Sequence, residues 1–474
     1  MTAHLELVEL SAVAVVDLLR RGEVTPHDLL DALEARIATV DPLVNALPTL
    51  AFERARRQAD RLITCPPAER GLLAGLPVPI KDLTNVAGVR TTQGSPIFAE
   101  VVPETSDVVV ERLEREGGIV YAKSNTPEFG AGANTFNEVF GPTRNPYDVS
   151  RSAAGSSGGA AVAVATGTAW VAHGTDLGGS LRSPASFCNI VGMRPTVGRV
   201  AQSRAVVVDA TLGVHGPMAR TVEDLALLLD AMAGEDSRDI LSKPRPATSF
   251  LDSARRGALP RRVAYSPDLG VTPVEPEIAE ITRRAAHRFA EAGVLVEEAH
   301  PDLAEAHDCF RVLRAHGFAM TLGPLLAKHR AALKPEVIWN VEVGLALTSA
   351  EIVRAERQRA EMMQRAQRFF LDYDLLLCPT TIVAPFPVED RYVAAVGSHA
   401  FETYIDWLAI AYAVTLIGSP ALSLPCGFTG RGLPVGLQLV APPNADGFLL
   451  GAAHALERIL GGGTGRPVLP RSPI

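Results

Sequence analysis

Short apolar runs alternate with amphipathic stretches along most of this chain. "GGIVYAK", "RRVAYSPD", "VLVEEAH", "DLLLCPTT" and "PVGLQLVA" read as strands, and "DVVVERLEREG", "TVEDLALLLDAMAG", "EIAEITRRAAHRFAEAG" and "ADGFLLGAAHALERIL" read as helices. Such alternation predicts an α/β fold around a buried, largely parallel sheet. Ahead of it lie "LVELSAVAVVDLLRRGE", then "HDLLDALEARIATV" behind a Thr25-Pro26 helix start, then "LAFERARRQADRLI". These three amphipathic patterns predict a helical N-terminal wrap over residues 1–65. Residues 301–370 are mostly helical by pattern, ending in a long amphipathic helix, and an insertion of that kind beside a catalytic sheet covers a pocket. "GGGTG" near the C-terminus reads as a flexible tail.

At 474 residues the length alone suggests about three domains, yet no linker separates units, and single α/β domains of this size occur. The chain is 47% hydrophobic and 21% charged, the balance of a globular protein with a large core. A net charge of -8 argues against a nucleic-acid surface, which needs clustered Lys and Arg. The arginines of "RAERQRAEMMQRAQR" alternate with acids and read as a solvated helix face. Cys65, Cys188, Cys309, Cys378 and Cys426 are odd in number and far apart, so neither a disulfide framework nor a zinc site is expected, and a reducing cytoplasm fits. The N-terminus lacks the basic and apolar regions of a signal peptide. Trp407 to Gly430 carries no charge and has the length of a membrane span, but Pro420, Pro425 and the strand-like "SPALSLPCG" favour a buried core segment.

Three clusters carry chemistry. In "AGSSGGAAVAVATG", Gly155 to Gly159 formally satisfies the nucleophile elbow GxSxG with Ser157 central, but the preceding "NPYDVSRSAA" is a turn-rich loop rather than a strand, and His454 lies in a helical pattern with no evident acid partner. "HGTDLGGSLRSPASFCNIVGMRPT" sets Ser180 behind Gly178 and Gly179, with Asp176 before and Arg182 after; the glycine amides there form a nest suited to an oxyanion. Lys81 ends the apolar "GLPVPI": it either reaches the surface or sits desolvated with a lowered pKa, which would make it a base.

Together these pieces resemble the amidase signature family. "GLPVPIKDL", "AKSNTPEFG", "GPTRNPYD", "AGSSGGAAVAVATG", "GTDLGGSLRSPASFCNIVGMRPT", "GSPALSLPCGF" and "GLPVGLQLVA" occur in that family's order over nearly the whole chain. The resemblance implies one large α/β domain, a twisted mixed sheet with helices on both faces, with residues 75–200 as its catalytic core. It implies Ser180 as nucleophile, Ser156 as a bridging serine behind a cis peptide after Gly155, Lys81 as base, and the amides of Leu177, Gly178, Gly179 and Ser180 as oxyanion donors. Ser157, Asp176 and Arg182 are expected to orient this loop, and His173 to be structural. Ala154, Ala160, Asn189 and Arg194 depart from the family pattern; Ala154 and Asn189 stand where they could reshape the pocket.

The implied activity is hydrolysis of the C–N bond in neutral, partly hydrophobic carboxamides, extending to esters and carbamates, with no metal or organic cofactor, no membrane or nucleic-acid partner, and a monomeric or homodimeric enzyme. "EFGAGANTF", "LRAHGFAMTLGPLL" and "WLAIAYAVTLIGSPAL" are expected to wall the pocket with few charges. The alternatives are the glutamine-hydrolysing subunit of a tRNA-dependent amidotransferase, whose arginine-containing "RRI" segment is not visible around Glu351 to Phe370, and a non-catalytic binding protein on the same fold.

Overall fold

The structure, a computed structural model, describes residues 5–203, 210–461 and 465–473. Most of the "GGGTG" segment, residues 462–464, lies outside them. The N-terminal helices form where their patterns place them. Ser11 caps Ala12–Arg21, Gly22 ends it in the left-handed region, and Thr25 with Asp28 closes a reciprocal capping box on Pro26–Val44. Phe52–Ile63 follows. Leu19, Leu29, Leu33 and Val40 on these helices are fully buried in the main core.

The large sheet has eight strands in the spatial order Leu295–Glu298, Arg262–Tyr265, Leu375–Pro379, Pro434–Val440, Ala421–Phe428, Val191–Arg194, Val214–Ala219 and Val171–Asp176. The first three run parallel, and every later pairing is antiparallel. The sheet is therefore mixed rather than largely parallel. Apolar runs report burial on both faces, not strand direction, and Pro434–Val440 is wholly buried although it forms an antiparallel hairpin with Ala421–Phe428. Helices cover both faces of this single domain, among them Arg182–Phe187, Val222–Met232 and Pro276–His287.

A second, three-stranded sheet joins Thr49–Leu50, Ile119–Ser124 and Pro77–Lys81. Its strand Pro77–Lys81 packs beside Val171–Asp176 of the large sheet, so the carboxyl end of one strand, with Lys81, meets the last residues of the other. The segment after residue 301 folds into Ala306–His329, Pro335–Ala346 and Ser349–Asp372. Trp407 to Gly430 enters the core as the helix Ala409–Leu416 and the strand Ala421–Phe428, and among the described residues no helix is long and apolar enough to cross a membrane. All five cysteines are unpaired.

The glycines of "SSGG" open Gly158–Thr166, a helix buried along its whole length. A Cβ on Gly159 would fall 2.3 Å from the amide nitrogen of Asn125 and 2.6 Å from the carbonyl oxygen of Ala46, both backbone atoms that cannot swing aside. G159A is therefore expected to destabilise the fold by about 1–3 kcal/mol, read as a lower Tm in a thermal melt. G317A, in a helix where the added methyl meets nothing within 4 Å, should leave Tm equal or raise it. Equal melting of G159A and wild type would contradict this packing.

Candidate active site

Lys81 is buried without exposure at the end of its strand. Its Nζ lies 2.7 Å from Ser156 Oγ, 2.8 Å from Ser157 Oγ and 2.9 Å from Thr175 Oγ1. All three neighbours are hydroxyls. On the adjacent strand a second buried lysine, Lys123, has a different environment: its Nζ sits 3.2 Å from Asp82 Oδ1 and also donates to Thr84 O and Thr91 Oγ1. Burial pushes Lys123 down to about 8 against the pull of Asp82. Burial also holds Lys81 well below the ordinary lysine value, and only the more distant Asp176 opposes it.

Hydrogen-bond bookkeeping then assigns roles to the hydroxyls. Ser157 donates its proton to the carbonyl of Thr175 at 3.2 Å, so toward Lys81 it accepts. A neutral lysine amine has two protons and one lone pair. With its protons on Ser157 and Thr175, its lone pair is left for the hydroxyl of Ser156. The peptide between Gly155 and Ser156 is cis, and Ser156 alone of the two serines faces the cavity that Ser180 also lines.

That cavity holds about 180 Å3 and is lined by Ser156, Thr175, Leu177, Gly178 and Ser180 on one side. A larger cleft of about 770 Å3 around Phe386 and Pro387 contains none of these residues, so chemistry rather than size picks the site. The amides of Leu177, Gly178 and Ser180 have no acceptor among the described residues. Gly179 differs from expectation: its N–H is committed to Asp176 Oδ1 at 3.0 Å, which leaves three amides in the nest rather than four. The same carboxylate accepts from the amide of Leu181 at 3.1 Å and from Arg182 Nε and Nη2 at 3.0 and 2.9 Å. Burial alone would raise the Asp176 carboxyl, but Arg182, with Arg194 behind it, holds it well below the usual carboxylate range. Arg182 is in turn fixed by Ala411 O, Gln438 Oε1 and Thr415 Oγ1. A chain of buried polar contacts thus sets the turn between strand and helix on which Ser180 sits.

Other residues take places the sequence did not disclose. Thr175 completes the shell of Lys81. Arg194 Nη1 donates to the carbonyl of Asp176 at 2.8 Å. His173, fully buried, accepts the Lys81 backbone N–H on Nδ1 at 3.3 Å and faces His215 Nδ1 from Nε2 at 2.8 Å. Burial, with His215 and Lys81 nearby, keeps it neutral, so it positions the Lys81 backbone. Only the strand pairing of Val171–Asp176 with Val214–Ala219, invisible in sequence, brings His215 to the cavity. Ala154 and Asn189, both at positive φ, do not line this cavity. Cys188 lies against Ala153 O, away from it. Among the described residues no group of three or more His, Cys, Asp or Glu side chains is placed to hold a metal ion.

All three segments named from sequence contribute to the far wall: Phe129, Gly130 and Gly132 from the first, Arg314 and Phe318 from the second, Leu408 from the third. The lining carries few charges, Asp176 and Arg314, the latter reaching the cavity from the helix Ala306–His329. Phe310, one turn earlier, stacks on Tyr412 at 4.1 Å between centroids and presses on the nest so closely that a Cβ on Gly178 would lie 3.0 Å from its Cζ.

Comparison with known proteins agrees with this arrangement. The family described as Amidase matches residues 28–450. An acylamidase of Rhodococcus erythropolis is 35% identical over 455 residues, covering 95% of each chain. A glutamyl-tRNA(Gln) amidotransferase subunit of Moorella thermoacetica is 35% identical over 481 residues, covering 96% of this chain and 97% of its own. Among solved structures, a bacterial aryl acylamidase superposes with a TM-score of 0.89 at 28% identity, over 95% of this chain and 96% of that one. With a family match over most of its length and a fold shared with solved members, this chain belongs to the amidase signature family of amide hydrolases.

Proposed function

We propose that the chain hydrolyses the C–N bond of partly hydrophobic aryl or alkyl carboxamides through an acyl-enzyme on Ser180, with residues 75–200 supplying the chemistry and residues 301–370 the cover. The observation that carries this reading is a desolvated Lys81 Nζ 2.7 Å from Ser156 Oγ, beside a cavity shared by Ser156, Ser180 and the free amides. Ser180 Oγ attacks the carbonyl carbon, its proton passes to Ser156, and the proton of Ser156 passes to neutral Lys81. The amides of Leu177, Gly178 and Ser180 receive the oxyanion. Return of the proton through Ser156 to the departing nitrogen breaks the C–N bond, and water then repeats the sequence on the ester. No step calls on a metal or an organic cofactor.

The lining supports the substrate class. Leu83, Phe129, Phe310, Phe318 and Leu408 offer apolar surface, and about 180 Å3 suits a short acyl chain or a single ring better than a long lipid, since drug-sized sites run to ~300–1,000 Å3. Esters and carbamates are open to the same tetrahedral chemistry, with esters faster than carbamates of the same leaving group because their carbonyl is more electrophilic. The similarity to amidotransferase subunits raises free glutamine as a second reading. Its ammonium group would need a buried anion, and the one carboxylate in the lining among the described residues, Asp176, is already held by Arg182 and two amides. The unpaired cysteines fit a reducing compartment such as the cytoplasm.

Two measurements test the relay. S180A should abolish turnover of a neutral anilide and labelling by a fluorophosphonate, while S156A and K81A should each lower kcat by several orders of magnitude with melting temperatures near wild type. Full activity in S180A, or labelling of Ser156 or Ser157 in its place, would overturn the assignment. A wild-type protein that no fluorophosphonate labels would instead point to a binding protein. The pH profile follows from the lowered Lys81: only the neutral amine accepts a proton, so kcat/KM should rise with pH along a limb whose midpoint lies well below 10.5 and then level off. An optimum near pH 5, or a limb centred at or above 10.5, would contradict a buried lysine base.

A further inference from the structure

Among the described residues, Arg314 is the one cation in the cavity wall with no anion beside it. It is 7% exposed, yet no carboxylate among those residues lies within ion-pair distance. Its Nη2 donates to Tyr404 Oη at 2.9 Å, and its guanidinium lies over the rings of Phe318, at 4.4 Å from the centroid, and of Tyr404, at 5.8 Å. Tyr404 Oη also accepts a hydrogen bond from Asn340 Nδ2, so it has little acceptor capacity left. Arg314 Nε is buried with no hydrogen-bond partner, and Nη1 has none among the described residues. Of the other buried guanidinium groups, Arg182 and Arg194 share Asp176 and Arg199 has Asp446. Arg112 and Arg220, which also lack a carboxylate within ion-pair distance among the described residues, donate instead to backbone carbonyls, Arg112 to Ala233 O and Glu235 O and Arg220 to Gly465 O, Ala169 O, Val8 O and Leu10 O. Among the described residues Arg314 has neither a carboxylate nor a carbonyl, and leaving a desolvated charge so poorly partnered is unfavourable.

The nearby charges do not relieve it. Lys334, on the segment packed against the same wall, adds positive potential, while Glu128 is bound by Ser95 and the Lys334 backbone and Glu336 by Arg391. Arg314 therefore lines the cavity with Nε and Nη1 unpartnered among the described residues and with a surplus charge. Phe310 lies against Gly178 of the nest, and Arg314 follows one helical turn later, ~6 Å along the axis.

We propose that Arg314 is a specificity-determining residue that receives a carboxylate carried by the substrate at a distance of several bonds from the scissile amide. The preferred substrate is then an amide with an apolar middle, neutral at the reacting carbonyl and anionic at its far end. A zwitterion is not equivalent, because the wall supplies a guanidinium for the carboxylate and, among the described residues, no free anion for an ammonium. This inference rests on the proposed amidase reading, and its test separates the two by measuring binding without turnover.

S180A protein should be titrated with paired probes of nearly equal shape: glutaric acid mono-4-nitroanilide against pentanoic acid 4-nitroanilide, with the carboxylate on the acyl side, and N-pentanoyl-4-aminobenzoate against pentananilide, with it on the leaving side. In at least one pair the anion should bind tenfold or more tightly, as a charge-assisted hydrogen bond allows. R314M in the S180A background should abolish that ratio and R314K should retain part of it. Equal or weaker binding of the anion in both pairs, or a preference that survives R314M, would overturn the proposal whatever the variants' stability. Binding preference without wild-type turnover of any probe would uphold the role of Arg314 and refute the hydrolase reading.

Discussion

The site depends on a lysine buried among hydroxyls with no acid, among the described residues, within ion-pair reach. Two lysines lie at register-matched ends of neighbouring parallel strands, where Ile80 pairs with Lys123 and Lys81 with Ser124. Lys123 has Asp82 beside it and serves as a structural cation. Lys81 has Ser156, Ser157 and Thr175, groups that accept or donate with equal ease, so burial is free to favour the neutral amine. The rest of the architecture holds that arrangement in place: the large sheet supplies Thr175 and His173 from one strand, and the helix opened by Gly158 and Gly159 packs close enough to fix both serines.

A second constraint acts on the loop that carries Ser180. Asp176 gathers two arginines and two amides at one buried point, and every lone pair it offers has a donor. Arg194 Nε and Nη2 have no partner among the described residues, but the carboxylate itself is saturated, so Asp176 fixes the turn after its strand. It also takes up the amide of Gly179, while those of Leu177, Gly178 and Ser180 have no acceptor among the described residues, a difference between adjacent amides that spacing alone does not reveal.

Much of this was legible in sequence, for reasons that differ by feature. Thr25-Pro26 announced a helix start because capping is local chemistry, and the structure adds Asp28 to close the box. Lys81, Ser156 and Ser180 stood out because lysine, serine and glycine at those places match a pattern already tied to one mechanism. Strand direction did not, since Pro434–Val440 is equally apolar whether its neighbours run parallel or antiparallel. His215 was missed because pairing of distant strands brings it in, Thr175 because two strands of separate sheets pack side by side, and Arg314 because one cation in an apolar segment looks like a surface residue until the helix is seen to turn it inward.

The relay requires that Lys81 lose its proton well below the ordinary lysine value, and its side-chain nitrogen reports this directly. Protein labelled with 15N at lysine Nζ, with the Lys81 resonance assigned by its loss in K81A, should show a titration midpoint well below 10.5. An Nζ of Lys81 that remains an ammonium up to about pH 10 would contradict the account.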